Sequence, residues 1–134
     1  MLAEADAMAT VGVRDIAAAR AFYGQVLGLR EGDPGDCKQS EILFFASGRA
    51  WIQVYRSDYA GTNRATAITW DVGERIGEVV AALKARGARF EHYQLEGMRL
   101  EGDIHVGEGI KAAWLKDPDG NVLNISGKSV SYTH

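Results

Sequence analysis

Apolar and polar positions along the first part of the chain change from a strand pattern to a helix pattern. Residues 8–13 form a short run typical of a strand. Asp15 follows at the position of a helix N-cap, where its carboxylate can accept from the free amides of the first turn. Gly28 stands where a left-handed C-cap is needed. Between them one apolar stripe recurs at helical spacing: Ile16, Ala19, Tyr23, Val26 and Leu27. The pattern predicts a strand, a tight turn and a helix.

The same order of elements recurs in the second half of the chain. Residues 66–70 form a strand-like run, and Asp71 follows it as Asp15 follows the first run. Gly87 closes the second helix as Gly28 closes the first. The second apolar stripe consists of Ile76, Val79, Val80 and Leu83. The chain therefore reads as two copies of one small unit.

The remaining strand runs complete each copy as β-α-β-β-β. In the first copy, residues 41–46 and 50–56 flank Ser47-Gly48-Arg49, which is typical of a hairpin. In the second copy, Asp117-Pro118-Asp119-Gly120 predicts a tight turn between the last two strands. The second-copy strands are expected at 88–95, 110–116 and 121–126, with a glycine-containing loop at 96–107.

We predict an α+β fold in which one domain, residues 1–134, contains two modules. The first spans 7–56 and the second 65–127, with a linker at 57–64 and a loose tail at 128–134. One helix covers only one face of each sheet. Two such sheets placed edge to edge can curl into a half-barrel of mixed strands with the helices outside. Its concave inner face is the expected ligand site, because ligands bind concave, partly apolar surfaces.

Composition excludes several classes of function. The net charge of −3 and the scattered basic residues argue against nucleic acid as a partner. No apolar run approaches the length that crosses a bilayer, and the N-terminal residues lack the positive charge of a signal peptide. Cys37 is the only cysteine and is expected to be a surface bystander. These features predict a cytoplasmic protein.

Three motifs resemble those of the vicinal oxygen chelate superfamily, which includes glyoxalase I, extradiol dioxygenases, fosfomycin-resistance enzymes and bleomycin-resistance proteins. The motifs are Val13-Arg14-Asp15, then Phe22-Tyr23 with Val26-Leu27-Gly28-Leu29, and Lys116-Asp117-Pro118-Asp119-Gly120-Asn121. The resemblance implies paired β-α-β-β-β modules and a homodimer whose cavities often use both chains. It does not fix the activity, because one fold hosts many chemistries.

The resemblance also assigns positions to metal ligands. The family's metal enzymes carry His, Gln or Glu at four inward-facing points, which correspond here to Met8, Gln53, Ala65 and Asn124. A thioether and an alanine cannot hold a hard or borderline divalent ion, and one or two amide oxygens bind it weakly. The sequence therefore predicts no metal site and no cofactor.

Strand alternation extends these four positions to a set of cavity residues. The expected cavity consists of Met8, Thr10, Trp51, Gln53, Tyr55, Ala65, Ala67, Thr69, Trp114 and Asn124. The opposite, helix-facing set includes Ile52, Val54, Thr66, Ile68, Leu123 and Ile125. Trp51, Tyr55 and Trp114 are candidates for stacking on a flat ligand, with core or dimer packing as the alternative.

Two hypotheses of function follow. In the first, the protein binds a small aromatic or planar molecule between the modules without a metal, and an antibiotic-sequestering protein is a special case. In the second, it is a lyase, isomerase or dioxygenase relative with catalytic groups or a metal recruited at His92, His105 or Glu91. No catalytic residue is assigned. For His92 and His105 the alternative to a catalytic role is a structural one. For residues 57–64 the alternative to a linker is a lid.

Overall fold

A computed structural model describes residues 1–35 and 41–128. The first half follows the predicted order, and its elements are β1 (Ala9–Val13), α1 (Ile16–Ala21), β2 (Arg30–Gly32), β3 (Ile42–Ser47) and β4 (Ala50–Arg56). Asp15 caps α1, since its carboxylate accepts from the amide of Ala18 at 3.1 Å. A π-helical turn over Phe22–Val26 continues the helix, and Gly28 ends it with a φ of +74°. The expectations for Cys37 and for residues 129–134 lie outside the described residues.

The second half contains more strands than the first. Its elements are β5 (Thr66–Asp71), α2 (Ile76–Ala85), β6 (Phe90–Glu91), β7 (Arg99–Glu101), β8 (Ile104–Val106), β9 (Lys111–Lys116) and β10 (Val122–Gly127). A 3-10 turn at Gly73–Arg75 precedes α2, and a second one lies at Leu2–Glu4. No helix in the described part of the chain is long and apolar enough to cross a membrane.

Two mixed sheets carry these strands in the same order of connection. The first sheet is ordered β1-β4-β3-β2, and the second β5-β10-β9-β8-β7, with β6 beside β9. In each sheet the first strand is parallel to the last, and the last is antiparallel to its other neighbour. Both helices pack on one side of the open, curled sheets. The predicted α+β fold is confirmed.

The segment at 96–107 differs from its prediction. It was expected to be a loop, but it contains the β7–β8 hairpin, while the strand expected at 88–95 is only the two residues of β6. Gly102 has a φ of +64° and makes the hairpin turn possible. The two hairpin strands are too short to show an alternating pattern.

One hydrophobic core lies between the helices and the sheets. The alternation predicted for β1 and β4 is confirmed, because Val13 and Val54 are fully buried. In β10 burial does not alternate, because Leu123 and its neighbours Val122 and Asn124 are all buried. In α2 the predicted stripe also faces inward, with Ile76, Val80 and Leu83 buried and Val79 half-buried.

A buried polar network joins the two halves. The Tyr23 hydroxyl donates to Asp117 Oδ2 at 2.8 Å, and Asn121 Nδ2 donates both to the same oxygen and to the carbonyl of Gly12 in β1. The amides of Asp119 and Asn121 donate to Asp117 Oδ1 at 2.9 Å. Burial and the Asp117 carboxylate raise the pKa of Tyr23, so its hydroxyl keeps its proton. The aromatic motif and the turn motif are therefore two ends of one structural contact.

Candidate ligand-binding cavity between the two sheets

A cavity of about 190 Å³ lies where the neighbouring edge strands β1 and β5 meet on the open side of the sheets. Four residues of the predicted set line it: Thr10, Tyr55, Ala65 and Ala67. Asn121 also reaches it, so the network that joins the halves forms part of the wall. The cavity thus combines apolar and hydroxyl-bearing surface from both halves of the chain.

The segment at 57–64 forms a further wall of this cavity. The amide of Ser57 donates to the carbonyl of Val13 at 2.8 Å, and Arg14 donates to the carbonyl of Asp58 at 2.9 Å. Gly61 has a φ of +70°, and a Cβ there would stand 1.9 Å from the carbonyl oxygen of Asp119. Only glycine permits this approach of two backbones.

Two residues of this segment, Tyr59 and Asn63, belong to the cavity although the predicted set does not contain them. Both line the cavity, and the Tyr59 side chain is 82% exposed. Gly61 is the residue in the sequence that could have identified the segment as a wall. Its close contact with Asp119 is seen only in the structure.

A wider opening of about 490 Å³ adjoins the cavity and shares Gly61, Asn63 and Val122 with it. Arg64 and Lys116 line this opening together with Tyr93. Lys116 Nζ lies 3.7 Å from a carboxylate oxygen of Glu91 at an exposed position, so the pairing is weak. The mouth therefore carries two cationic side chains.

Three residues of the predicted set lie on the open face of the first sheet but do not line the cavity. Met8, the residue before β1, is 38% exposed. Gln53 is half-buried in β4, where its register partners are Thr10 and Phe44 on either side. The ring of Trp51 packs over Gly32, since a Cβ on that glycine would meet it at 2.9 Å. Packing on β2 therefore accounts for Trp51.

Trp114 belongs to an aromatic cluster in the second sheet. Its ring centroid lies 5.0 Å from that of His105 and 5.5 Å from that of Tyr93, both edge to face. Its indole nitrogen donates to Thr66 Oγ1 at 3.3 Å. Trp51, Tyr55 and Trp114 therefore occupy three separate places in the fold.

The helix-facing orientation predicted for Thr66 is wrong. The register between β5 and β10 shifts at Val122 and Leu123, so that Val122 pairs with Thr66 and Leu123 with Ile68. Because of this irregularity, the alternation of buried and exposed side chains in β5 does not continue from Ile68 back to Thr66. The Thr66 side chain is exposed. Thr69, on the other side of the shift, is exposed as expected.

The four positions that the resemblance assigns to metal ligands carry a donor set unsuited to a divalent ion. Asn124 is 7% exposed, and its amide nitrogen donates to the carbonyl of Ala113 at 3.2 Å. Met8 and Ala65 offer no oxygen or nitrogen donor, and Gln53 is uncharged. Within residues 1–35 and 41–128, no group of three or more His, Cys, Asp or Glu side chains is placed to hold a metal.

The two histidines considered as alternative catalytic groups are also poorly placed for such a role. His105 is 1% exposed, its Nε2 accepts from the amide of Tyr93 at 2.9 Å, and its Nδ1 lies 3.2 Å from the carbonyl of Ala112. These partners engage both ring nitrogens, with Nε2 as the acceptor and Nδ1 as the donor. His92 instead lies on the exposed surface, 2.8 Å from Asp103. Glu91 faces Lys116.

Comparisons with known proteins identify the family. Residues 7–125 match the family model described as the Glyoxalase/Bleomycin resistance protein/Dioxygenase superfamily. A search of curated proteins finds no significant match.

Solved structures of this fold include fosfomycin resistance proteins. The crystal structure of FosX from Listeria monocytogenes in its hexagonal form has a TM-score of 0.67 at 16% identity, with 95% of each chain covered. FosX from Mesorhizobium loti has a TM-score of 0.65 at 14% identity, covering 95% of this chain and 94% of that one. The Listeria protein complexed with Mn(II) and sulfate has a TM-score of 0.65 at 19% identity, with 95% and 92% covered. At these identities the likeness concerns the fold alone. The family match over nearly the whole chain shows that the protein belongs to the glyoxalase/bleomycin resistance protein/dioxygenase superfamily.

Proposed function

We propose that this protein binds a small planar molecule in the cavity between its two sheets without the help of a metal ion. The observation that carries the proposal is the replacement of the family's metal ligands by Met8, Gln53, Ala65 and Asn124. FosX from Listeria monocytogenes has been crystallised with Mn(II). This chain has the same fold, but its four corresponding positions carry none of the anionic or imidazole donors that such an ion needs.

The size and lining of the cavity support a ligand of about one ring. A volume of about 190 Å³ is slightly larger than an engineered cavity of about 150 Å³ that holds benzene. Tyr55 supplies an aromatic face, and Thr10 supplies a hydroxyl. Arg64 and Lys116 at the adjoining mouth favour an anionic substituent that points out of the cavity.

The open face supports a homodimer as part of the same proposal. Met8 and Tyr55 are more than one third exposed on a surface that the helices do not cover. A second copy placed over this face would remove them from water and enclose the ligand.

The alternative enzyme with groups at His92, His105 or Glu91 has less support. Catalytic partners must come within hydrogen-bond reach of each other or of a shared substrate. Both nitrogens of His105 are already engaged, and His92 pairs with Asp103 at the surface. We therefore favour a binding protein over an acid–base catalyst at these groups.

Metal analysis of protein purified without chelator tests the proposal. We expect no stoichiometric divalent ion, and no change in melting temperature on addition of Mn(II) or Ni(II). A matched variant, Met8→His with Ala65→His and Asn124→Glu, restores the donor types and should gain affinity for these ions. A tightly held stoichiometric ion in the unmodified protein, lost in Gln53→Ala, would overturn metal independence.

Native mass spectrometry of the same preparation tests ligand binding separately. We expect a co-purified or added planar anion to bind one site per chain and to lose affinity in Arg64→Gln and Lys116→Gln. Arg99→Gln, on the exposed β7 strand, serves as the control for loss of positive charge. Equal affinity in all three variants would exclude the mouth as the anion contact.

A further inference from the structure

A second cavity of about 130 Å³ lies on the helix side of the molecule, away from the cavity described above. It is enclosed between the end of the first helical segment, α2 and the ends of β3, β5 and β10. Six of its lining residues are aliphatic: Leu27, Leu29, Val72, Val79, Leu83 and Ile125. We refer to it as the helix-side cavity.

Trp70 and Ser47 provide its only polar wall among the described residues. The Trp70 indole nitrogen donates to Ser47 Oγ at 2.8 Å, which satisfies the indole and leaves the serine hydroxyl hydrogen free to donate. A ligand that carries an acceptor oxygen can use this hydrogen, whereas a hydrocarbon cannot. The indole face also gives a flat ring a stacking surface.

The rim of the helix-side cavity is cationic. A wider opening shares Leu27, Val79 and Leu83 with it and adds Arg75, Glu78 and Arg86. Arg75 pairs with Glu78 at 3.2 Å, which balances those two charges.

Among the described residues, Arg86 is the cation at this rim that has no carboxylate partner. Its Nη1 donates to the carbonyl of Gln25 at 3.3 Å and covers Gly28, where a Cβ would approach within 2.7 Å. Its hydrogen-bond partner is thus a neutral carbonyl rather than a carboxylate. The guanidinium has five donors, so most of them remain available to an anion.

We infer that the helix-side cavity is a second binding site, for a small monocyclic aromatic carboxylate whose ring lies against Trp70 and whose carboxylate meets Arg86. The volume is close to that of an engineered cavity of about 150 Å³ that binds benzene, so one ring fits and two fused rings do not. The apolar wall takes the ring, and the cationic rim selects the charge. This site is independent of the function proposed above.

Benzoate titrated into isotopically labelled protein tests the inference by nuclear magnetic resonance. The chain has three tryptophans, and each gives one indole N–H signal. Trp70→Phe assigns the signal of Trp70 by its loss. Benzoate should shift the Trp70 signal saturably, at about millimolar affinity for so small a ligand. The signals of Trp51 and Trp114, on the open face, should stay in place, which separates this site from the cavity between the sheets.

Two variants separate the apolar and charged contributions. Val79→Phe fills the helix-side cavity and should abolish the shift. Arg86→Gln should weaken benzoate about three- to fivefold, the size set by an exposed ion pair, and leave neutral benzyl alcohol unchanged. Arg99→Gln, in the outer β7–β8 hairpin, should change neither ligand.

Several results would overturn the inference. An unmoved Trp70 signal at tens of millimolar benzoate would do so, as would equal binding in Val79→Phe. A Trp70 signal that responds to protein concentration and not to benzoate would identify a second copy as the occupant instead. Equal loss of benzoate and benzyl alcohol in Arg86→Gln would refute the role of the charge.

Discussion

Removing the Tyr23 hydroxyl should destabilise the fold by breaking the contact between its two halves. Tyr23→Phe deletes one hydrogen bond to a charged acceptor, since Tyr23 donates to Asp117 Oδ2 at 2.8 Å in a fully buried position. Such a bond contributes about 1.5–3 kcal/mol. The carboxylate keeps three other donors, from the amides of Asp119 and Asn121 and from Asn121 Nδ2. The lower half of that range therefore applies, about 1.5–2 kcal/mol.

Urea denaturation followed by circular dichroism measures this loss directly. In a chain of this length a loss of about 1.5–2 kcal/mol lowers the melting temperature by about 5–9 °C. Tyr59→Phe is the matched control, because Tyr59 is 82% exposed and its change should stay within about 0.5 kcal/mol. A coupling between Tyr23→Phe and Asn121→Ala is also expected, since both contact Asp117 Oδ2.

The result that would refute this reasoning is a Tyr23→Phe protein as stable as the Tyr59→Phe control. It would mean that the network orders the turn without contributing to the free energy of unfolding. Additive effects of Tyr23→Phe and Asn121→Ala would likewise show that the two donors do not share one acceptor.

Two further predictions concern the wall segment and the surface of the second module. Gly61→Ala should cost about 2 kcal/mol or more, because it adds both left-handed strain and a clash with the Asp119 carbonyl. Gly97 has a φ of +80° and no atom within 4 Å of an added Cβ, so Gly97→Ala adds only the backbone strain and should cost about 1 kcal/mol. Equal losses of stability in the two variants would show that the structure relieves the clash at Gly61. Hydrogen bonds from Lys84 and then His92 hold the pKa of Asp103 below its ordinary value, so the folded state favours the ionised form. Asp103 therefore contributes to the free energy of unfolding above the ordinary carboxyl pKa, and this contribution disappears as pH falls through the folded-state pKa. Asp103→Asn should remove the contribution at neutral pH and should reduce the loss of stability at acid pH in urea denaturation. An unchanged dependence of stability on acid pH would contradict the assignment.

The fold could be predicted from the sequence because its signals are local and repeated. Asp15 and Gly28 mark the ends of the first helical segment through cap chemistry that needs no tertiary contact. The burial of Val13 and Val54 follows from strand alternation alone. The β7–β8 hairpin escaped prediction because its strands are three residues long, too short for alternation to separate them from a loop.

The arrangement of the site could not be predicted as well, since it depends on contacts between distant residues. The register shift opposite Val122 turns Thr66 outward, and no residue type in β5 announces it. Trp51 and Trp114 have the chemistry of ligand contacts, but Gly32 and His105 occupy their surfaces. The residue types therefore identified candidates, whereas packing decided which of them reach the cavity.

The backbone contact between Gly61 and Asp119 has a consequence for how a molecule reaches the inner cavity. A segment pressed against another main chain at one point, and tied to β1 by the amide of Ser57, cannot swing aside as a hinged cover without breaking both attachments. A ligand bound in this cavity as proposed would then enter through the open side, past Arg64 and Lys116. For an anionic ligand, the charge at this opening would govern the rate of association as well as the affinity, and added salt should slow association while leaving release little changed.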